Sequence, residues 1–181
     1  MPRLFVALPI PDDVASSLSA LQGGVPDANW IPEENFHITL AFIGEVDGGM
    51  ARDVDAALAT VDGPVLDLEL AGVDHFVDGR QPKALYAAVV RQERLTRLQE
   101  RVSTVLRGEG VTLDRRKFRP HVTLARFNRR AEIGHHLAQF VASHSLYRAG
   151  PFEVDHFRLY SSTLRADGSH YDVEAEYPLG Y

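Results

Sequence analysis

Apolar and polar positions along this chain change period several times, and each change marks an element. Arg3 to Leu8 is a short apolar run closed by Pro9 and Pro11, which reads as a strand. Pro11-Asp12-Asp13 then opens a helix in which Val14, Leu18 and Leu21 recur at helical spacing, and Gly23-Gly24 stops it. A loop through Pro26 and Trp30-Ile31-Pro32 leads to Phe36 to Ile43, rich in β-branched and aromatic residues and read as a strand. A helix is predicted over Asp53 to Val61 and a strand over Val65 to Phe76.

The second half repeats this order. Ala84 to Val90 reads as a strand, and Leu95, Leu98, Val102, Val105 and Leu106 form the clearest helical stripe in the chain. Arg119 to Ala125 is a strand introduced by Pro120, Ile133 to Val141 a helix, and Phe152 to Tyr160 with His170 to Tyr177 a hairpin turning at Ala166-Asp167-Gly168. Two short strings occur twice. His37-Ile38-Thr39-Leu40 matches His121-Val122-Thr123-Leu124, and Val73-Asp74-His75-Phe76 matches Val154-Asp155-His156-Phe157, with separations of 38 and 35 residues between the histidines. An internal duplication is therefore expected, spanning approximately 3–90 and 91–181 of a single domain 1–181, with strands free to exchange between lobes. The expected class is α+β: two pseudo-symmetric lobes, each a mostly antiparallel sheet with helices packed outside, and a cleft between them.

Composition narrows the function. The chain has 181 residues, enough for one domain, and no cysteine, which removes disulfides and thiolate chemistry and suits a reducing cytoplasm. Its opening apolar run is too short for a secretory leader, and nothing approaches the roughly 18 apolar residues of a membrane span. A formal net charge of −6 argues against a broad basic surface, so contact with a nucleic acid is expected to be local, at a cleft that reads an end.

The doubled His-x-Thr string carries the chemistry. Successive side chains of a strand point to opposite faces, so His37 and Thr39 share one face while Ile38 and Leu40 enter a core. His121 and Thr123 are set against Val122 and Leu124 in the same way. Two imidazoles and two hydroxyls facing one cleft suit the opening of a cyclic phosphodiester. One ring deprotonates the attacking water and the other protonates the departing sugar oxygen, because an unperturbed imidazole titrates near pH 6.5. The Thr39 and Thr123 hydroxyls can donate to the non-bridging phosphate oxygens. This scheme needs no metal and no cofactor. A lone His-x-Thr in a strand is usually structural, but two in matched surroundings coincide by accident only about a few per cent of the time.

These residues resemble the two-histidine (2H) phosphoesterases, and within them the bacterial and archaeal RNA 2′,3′-cyclic phosphodiesterases, also known as 2′-5′ RNA ligases. The resemblance runs through Arg3 to Ala7, Trp30 to Glu45, Phe118 to Arg126 and the tail Leu159 to Ser162 with Gly168 and Tyr171, with no departure at the histidines or threonines. It implies a two-lobed fold with a central site that hydrolyses an RNA-terminal 2′,3′-cyclic phosphate to a 2′-phosphate. It further implies that His37 is the proton donor and His121 the proton acceptor, an assignment that the residues alone leave open. An arginine at position 126 resembles a phosphate ligand of the family, although strict alternation from His121 puts it on the wrong face unless a bulge redirects it. The RNA 3′ end is the expected partner of a monomeric, cytoplasmic enzyme.

Other residues carry weaker expectations. Arg119 shares the His121 face by parity and is a second phosphate candidate. Phe5 and Trp30 are candidates for stacking on a base, with core packing the stronger reading for Phe5. His75 and His156 read as structural, His135 and His136 as surface, and His144 and His170 lie in loop or hairpin settings. The basic run Arg115-Arg116-Lys117 precedes the second motif, where it can steer an RNA backbone. Three alternatives stand beside the main reading. They are a related two-histidine enzyme that acts on small cyclic nucleotides or ADP-ribose cyclic phosphate or seals 2′-5′ bonds as an RNA ligase, a non-catalytic module that binds RNA ends, and a metal-dependent nuclease. The last is disfavoured because no Asp/Glu cluster appears in the sequence.

Overall fold

The computed structural model describes residues 3–128 and 133–180. The first half of the chain folds as β1 (Arg3–Pro9), α1 (Asp12–Ser19), β2 (Ala28–Trp30), β3 (His37–Glu45), α2 (Gly48–Leu58), β4 (Leu66–Asp78) and β5 (Gln81–Val89). The second half continues as α3 (Glu93–Gly108), β6 (His121–Phe127), α4 (Gly134–Ser143), β7 (Arg148–Val154), β8 (His156–Arg165) and β9 (Gly168–Pro178). The class is α+β, as the pattern predicts. Among the described residues one nine-stranded sheet runs through both lobes in the order β7-β4-β5-β6-β3-β1-β8-β9, with β2 added along β6.

Each side of this sheet draws strands from both chain halves. β4 and β5 lie beside β6 and β7, whereas β1 and β3 lie beside β8 and β9. The sheet is continuous because β6 pairs with β5 on one flank and meets β3 on the other, where Ile38 faces Val122.

Two apolar clusters occupy the two faces of the sheet. The large one joins Leu4, Val6 and Leu8 of β1 and Ile38 and Val122 of the motif strands to the apolar stripes of all four helices. The α3 stripe supplies Leu95, Leu98, Val102 and Leu106, at most 3% exposed, each contributing roughly 1.5–3 kcal/mol by burial. The small cluster, Phe5, Ala7 and Tyr160 with Tyr171 against it, lies on the opposite face. Alternation along β1 explains the division, since odd and even positions face opposite ways.

Several boundaries differ from the sequence expectation. Helix α2 starts at Gly48 rather than Asp53, because the Asp47 carboxylate accepts from the Met50 amide at 2.8 Å and caps the helix upstream of its glycines. The strand expected over Phe152 to Tyr160 is two strands divided at Asp155: β7 pairs with β4 and β8 with β1. Residues Ala28–Trp30, expected in a loop, form β2 against Phe127–Ala125 of β6.

Candidate active site

Histidine opens both motif strands. β3 and β6 run antiparallel and meet at the Ile38–Val122 rung, then leave in opposite directions. Continuing that register by one residue sets His37 across from Thr123 and Thr39 across from His121. Ile38 and Val122 are fully buried on the helix side, so the four polar side chains share the other face, half-buried. Diagonal neighbours across an antiparallel pair have backbones about 7–8 Å apart, so the two rings stand on the same face on either side of the Ile38–Val122 rung.

Both strands then break alternation at the same point. In β6 the register with β5 slips between Leu85↔Ala125 and Tyr86↔Thr123, and the slip buries Leu124 and Ala125 in succession and returns Arg126 to the face of Thr123. In β3 the register with β1 slips between Val6↔Ala41 and Ala7↔Thr39, burying Leu40 and Ala41 and delivering Phe42 to the cleft face. The sequence expectation for Arg126 turned on such a bulge, and the bulge is there. Phe42, 64% exposed and 6.1 Å from the Phe5 ring, is a cleft residue that sequence reasoning missed. The available signal was its alignment with Arg126, since each is the fifth residue after a motif histidine.

The two imidazoles are anchored identically. His37 Nδ1 lies 2.7 Å from the Asn35 carbonyl and His121 Nδ1 lies 2.6 Å from the Arg119 carbonyl. A carbonyl can only accept, so Nδ1 carries the hydrogen in each ring and Nε2 is left as the reactive nitrogen. Their surroundings differ. His37 packs on Phe5 at 5.0 Å and edge-on against Tyr171 at 5.4 Å, with Tyr160 stacked beneath Phe5. His121 is flanked edge-on by Phe76 at 4.9 Å and Tyr86 at 5.3 Å. Burial among these rings lowers the His37 pKa to about 4, with the nearby Arg126 and His121 cations adding to the effect. Burial lowers His121 as well, again helped by Arg126. The β6 bulge is what returns Arg126 to the face that carries both rings.

Asn35 ties this pocket to a remote element. Its Nδ2 donates to the Ser169 carbonyl at the β8–β9 turn (2.9 Å), while its own carbonyl holds His37. β9 also supplies Tyr171. Nothing in the local sequence around His37 announces either contact, because their partners lie more than a hundred residues away.

The remaining expectations separate. Phe5 is 4% exposed and forms the floor under His37, with no free face for a base. Trp30 packs on Phe140 of α4 at 5.8 Å within the helix-side core, because pairing with Ala125 turns it away from the cleft. Arg119 precedes β6, so strand parity does not govern it; its side chain is exposed near Tyr86. His156 Nδ1 is 2.7 Å from Asp155 and His75 Nδ1 is 3.4 Å from Asp74, side pairings within each repeated string. His170 pairs with Asp167, His144 caps the end of α4 through the Phe140 carbonyl, and His135 and His136 are exposed. Among the described residues no three His, Cys, Asp or Glu side chains converge as a metal set, and no helix is long and apolar enough to cross a membrane.

An antiparallel sheet whose two central strands both start with His-x-Thr is the architecture of a two-histidine phosphoesterase. The chain belongs to the 2′-5′ RNA ligase superfamily, whose profile matches residues 10–165. The RNA 2′,3′-cyclic phosphodiesterase of Archaeoglobus fulgidus is 30% identical to it over 172 residues, 93% of this chain and 96% of the relative. That of Geobacillus stearothermophilus is 33% identical over 128 residues, 67% of this chain but 41% of the relative, so this chain spans less than half of that protein's length. Among solved structures, Escherichia coli LigT complexed with 3′-AMP has a TM-score of 0.78 at 20% identity over 100% of both chains. TT0787 of Thermus thermophilus has a TM-score of 0.78 at 22% identity over 97% of both. At these identities the structural likeness concerns the fold.

Proposed function

We propose that this protein hydrolyses the 2′,3′-cyclic phosphate at the end of an RNA to a 2′-phosphate, by acid/base catalysis between His37 and His121 with no metal taking part. The observation that carries this reading is the diagonal of the two imidazoles across the Ile38–Val122 rung, each held with Nε2 free. Water attacks the phosphorus as His121 Nε2 takes its proton. The bond from phosphorus to the 3′ oxygen breaks in line, and His37 Nε2 protonates that oxygen while the 2′ oxygen keeps the phosphate. This polarity is the one that the family resemblance implies. In the free protein His37 is mainly neutral, and a phosphate anion seated beside it favours the imidazolium that the donor role requires. Thr39, Thr123 and Arg126 meet the non-bridging oxygens, where charge gathers. Phe42 offers an aromatic face at the rim for the terminal base.

The test is to incubate the purified protein, with chelator present, with an oligonucleotide ending in a 2′,3′-cyclic phosphate and to identify the product. A 2′-phosphate formed at an undiminished rate supports the reading. A 3′-phosphate, or loss of activity to the chelator, overturns the polarity or the metal-free scheme respectively.

A further inference from the structure

The reactive end of an RNA occupies the cleft between β3 and β6, so the strand leading to it must leave across one of two rims. These rims are opposite in charge. On the β3 side the recess beside Tyr160 and Phe36 is lined by Asp12, Glu33 and Glu34, with Arg158 already paired to Glu176 at 2.8 Å. On the β6 side the loop from α3 to β6 carries Arg115, Arg116, Lys117 and Arg119, all exposed, and the β4–β5 hairpin adds Lys83. Loop and hairpin lie within electrostatic reach of one another, Lys83 acting on Asp114 and Asp78 on Arg116. Arg116 is paired with Asp114 at 2.6 Å, and against Lys83, Arg115 and Lys117 the hairpin sets the exposed Asp78, so loop and hairpin together keep a net positive charge before the second motif strand. In a chain of net charge −6 this is a local excess.

We propose that the RNA strand 5′ of the cyclic phosphate crosses the β6-side rim, its phosphates met by Lys83, Arg115 and Lys117, so that the protein favours the end of a polynucleotide over a free cyclic mononucleotide. This rests on the hydrolysis reading given above. The acidic β3-side rim repels a polyanion and steers the strand the other way. Each phosphate neutralised on a single strand releases counterions, so affinity depends on salt with a logarithmic slope of about −0.7 per contact.

The experiment measures binding of a labelled ten-nucleotide RNA ending in a 2′-phosphate, by fluorescence anisotropy across a salt series. It compares the native chain with a Lys83→Gln/Arg115→Gln/Lys117→Gln variant. The expected result is a loss of affinity of about tenfold or more at low salt and a slope flatter by about 2, while turnover of a 2′,3′-cyclic mononucleotide is unchanged. Unchanged RNA affinity, or an equal loss on the mononucleotide, overturns the proposal. A Glu33→Gln/Glu34→Gln variant, on the opposite rim, should leave RNA affinity within about twofold; a larger shift there than in the basic triple also overturns it. If the native chain binds the RNA as described but hydrolyses no cyclic phosphate, the rim stands and the proposed reaction falls.

Discussion

The β3 side and the β6 side of the cleft share one backbone plan and differ in almost everything around it. Each opens on a histidine anchored through Nδ1 to the carbonyl two residues before it, and each carries a threonine and then the same bulge. Beyond that, the β3 side is a box of aromatic rings with acidic residues at its rim, and the β6 side is bordered by cations. Backbone repetition thus supplies two equivalent imidazoles, whereas unrelated neighbours decide what each ring can do. His37 sits in the less polar pocket and gives up its proton down to about pH 4. His121 lies edge-on between Phe76 and Tyr86, on the strand entered from the basic loop, while Arg126 acts on both rings.

The strongest way to break the equivalence is chemical. His37→Ala and His121→Ala should each lower hydrolysis by ~10² to 10⁴ or more. A substrate with bridging sulfur in place of the 3′ oxygen expels a thiolate that needs no proton. On it His37→Ala should recover about 10²-fold while His121→Ala stays inactive. Recovery of the other variant would reverse the donor and acceptor.

Arg126→Ala comes next. Losing a charged hydrogen bond of about 1.5–3 kcal/mol should cost roughly 10- to 150-fold in kcat/KM. The same substitution sharpens the electrostatic comparison through pH. On the proposed acid/base scheme one proton is shared between the two rings, and burial moves the titration of both to the acid side of 6.5. The kcat/KM profile should therefore be a bell with both limbs on the acid side of 6.5. Removing the cation raises both histidines, so the bell of Arg126→Ala should move to higher pH. A profile that stays in place would show that the guanidinium does not act on the rings.

Phe42→Ala should cost about 1 kcal/mol of base stacking, read as a rise in KM of about fivefold with kcat nearly unchanged. Asn35→Ala should have the smallest effect, a few-fold loss in kcat, because the His37 anchor is a main-chain carbonyl that survives the change and only its tie to Ser169 is cut. Proteolysis at the β8–β9 turn should quicken in that variant if the tie holds the hairpin.

The sequence made the motif strands, their inward and outward faces and the four polar residues readable, because period-two alternation and a repeated string are local signals. It concealed what depends on distant partners. Tyr160 and Tyr171 reach His37 from strands more than a hundred residues downstream, and Trp30 is turned to the helix side by a β2–β6 pairing that its own neighbours do not advertise. The bulges left no mark in composition either. Leu40-Ala41 and Leu124-Ala125 look like ordinary strand residues, yet the extra residue in each strand decides where Phe42 and Arg126 point. Gly48-Gly49 hides the true start of α2, because the low helix propensity of glycine matters little in a first turn capped by Asp47.

The paired bulges have a consequence for how such a cleft can diversify. A kink at matching points presents whatever side chain follows to the same spot on each wall, so the two positions behave as sockets that accept new chemistry without any redrawing of the main chain. One now holds a ring and the other a guanidinium. Point substitutions there can retune what the groove grips while the two imidazoles between the walls stay as they are.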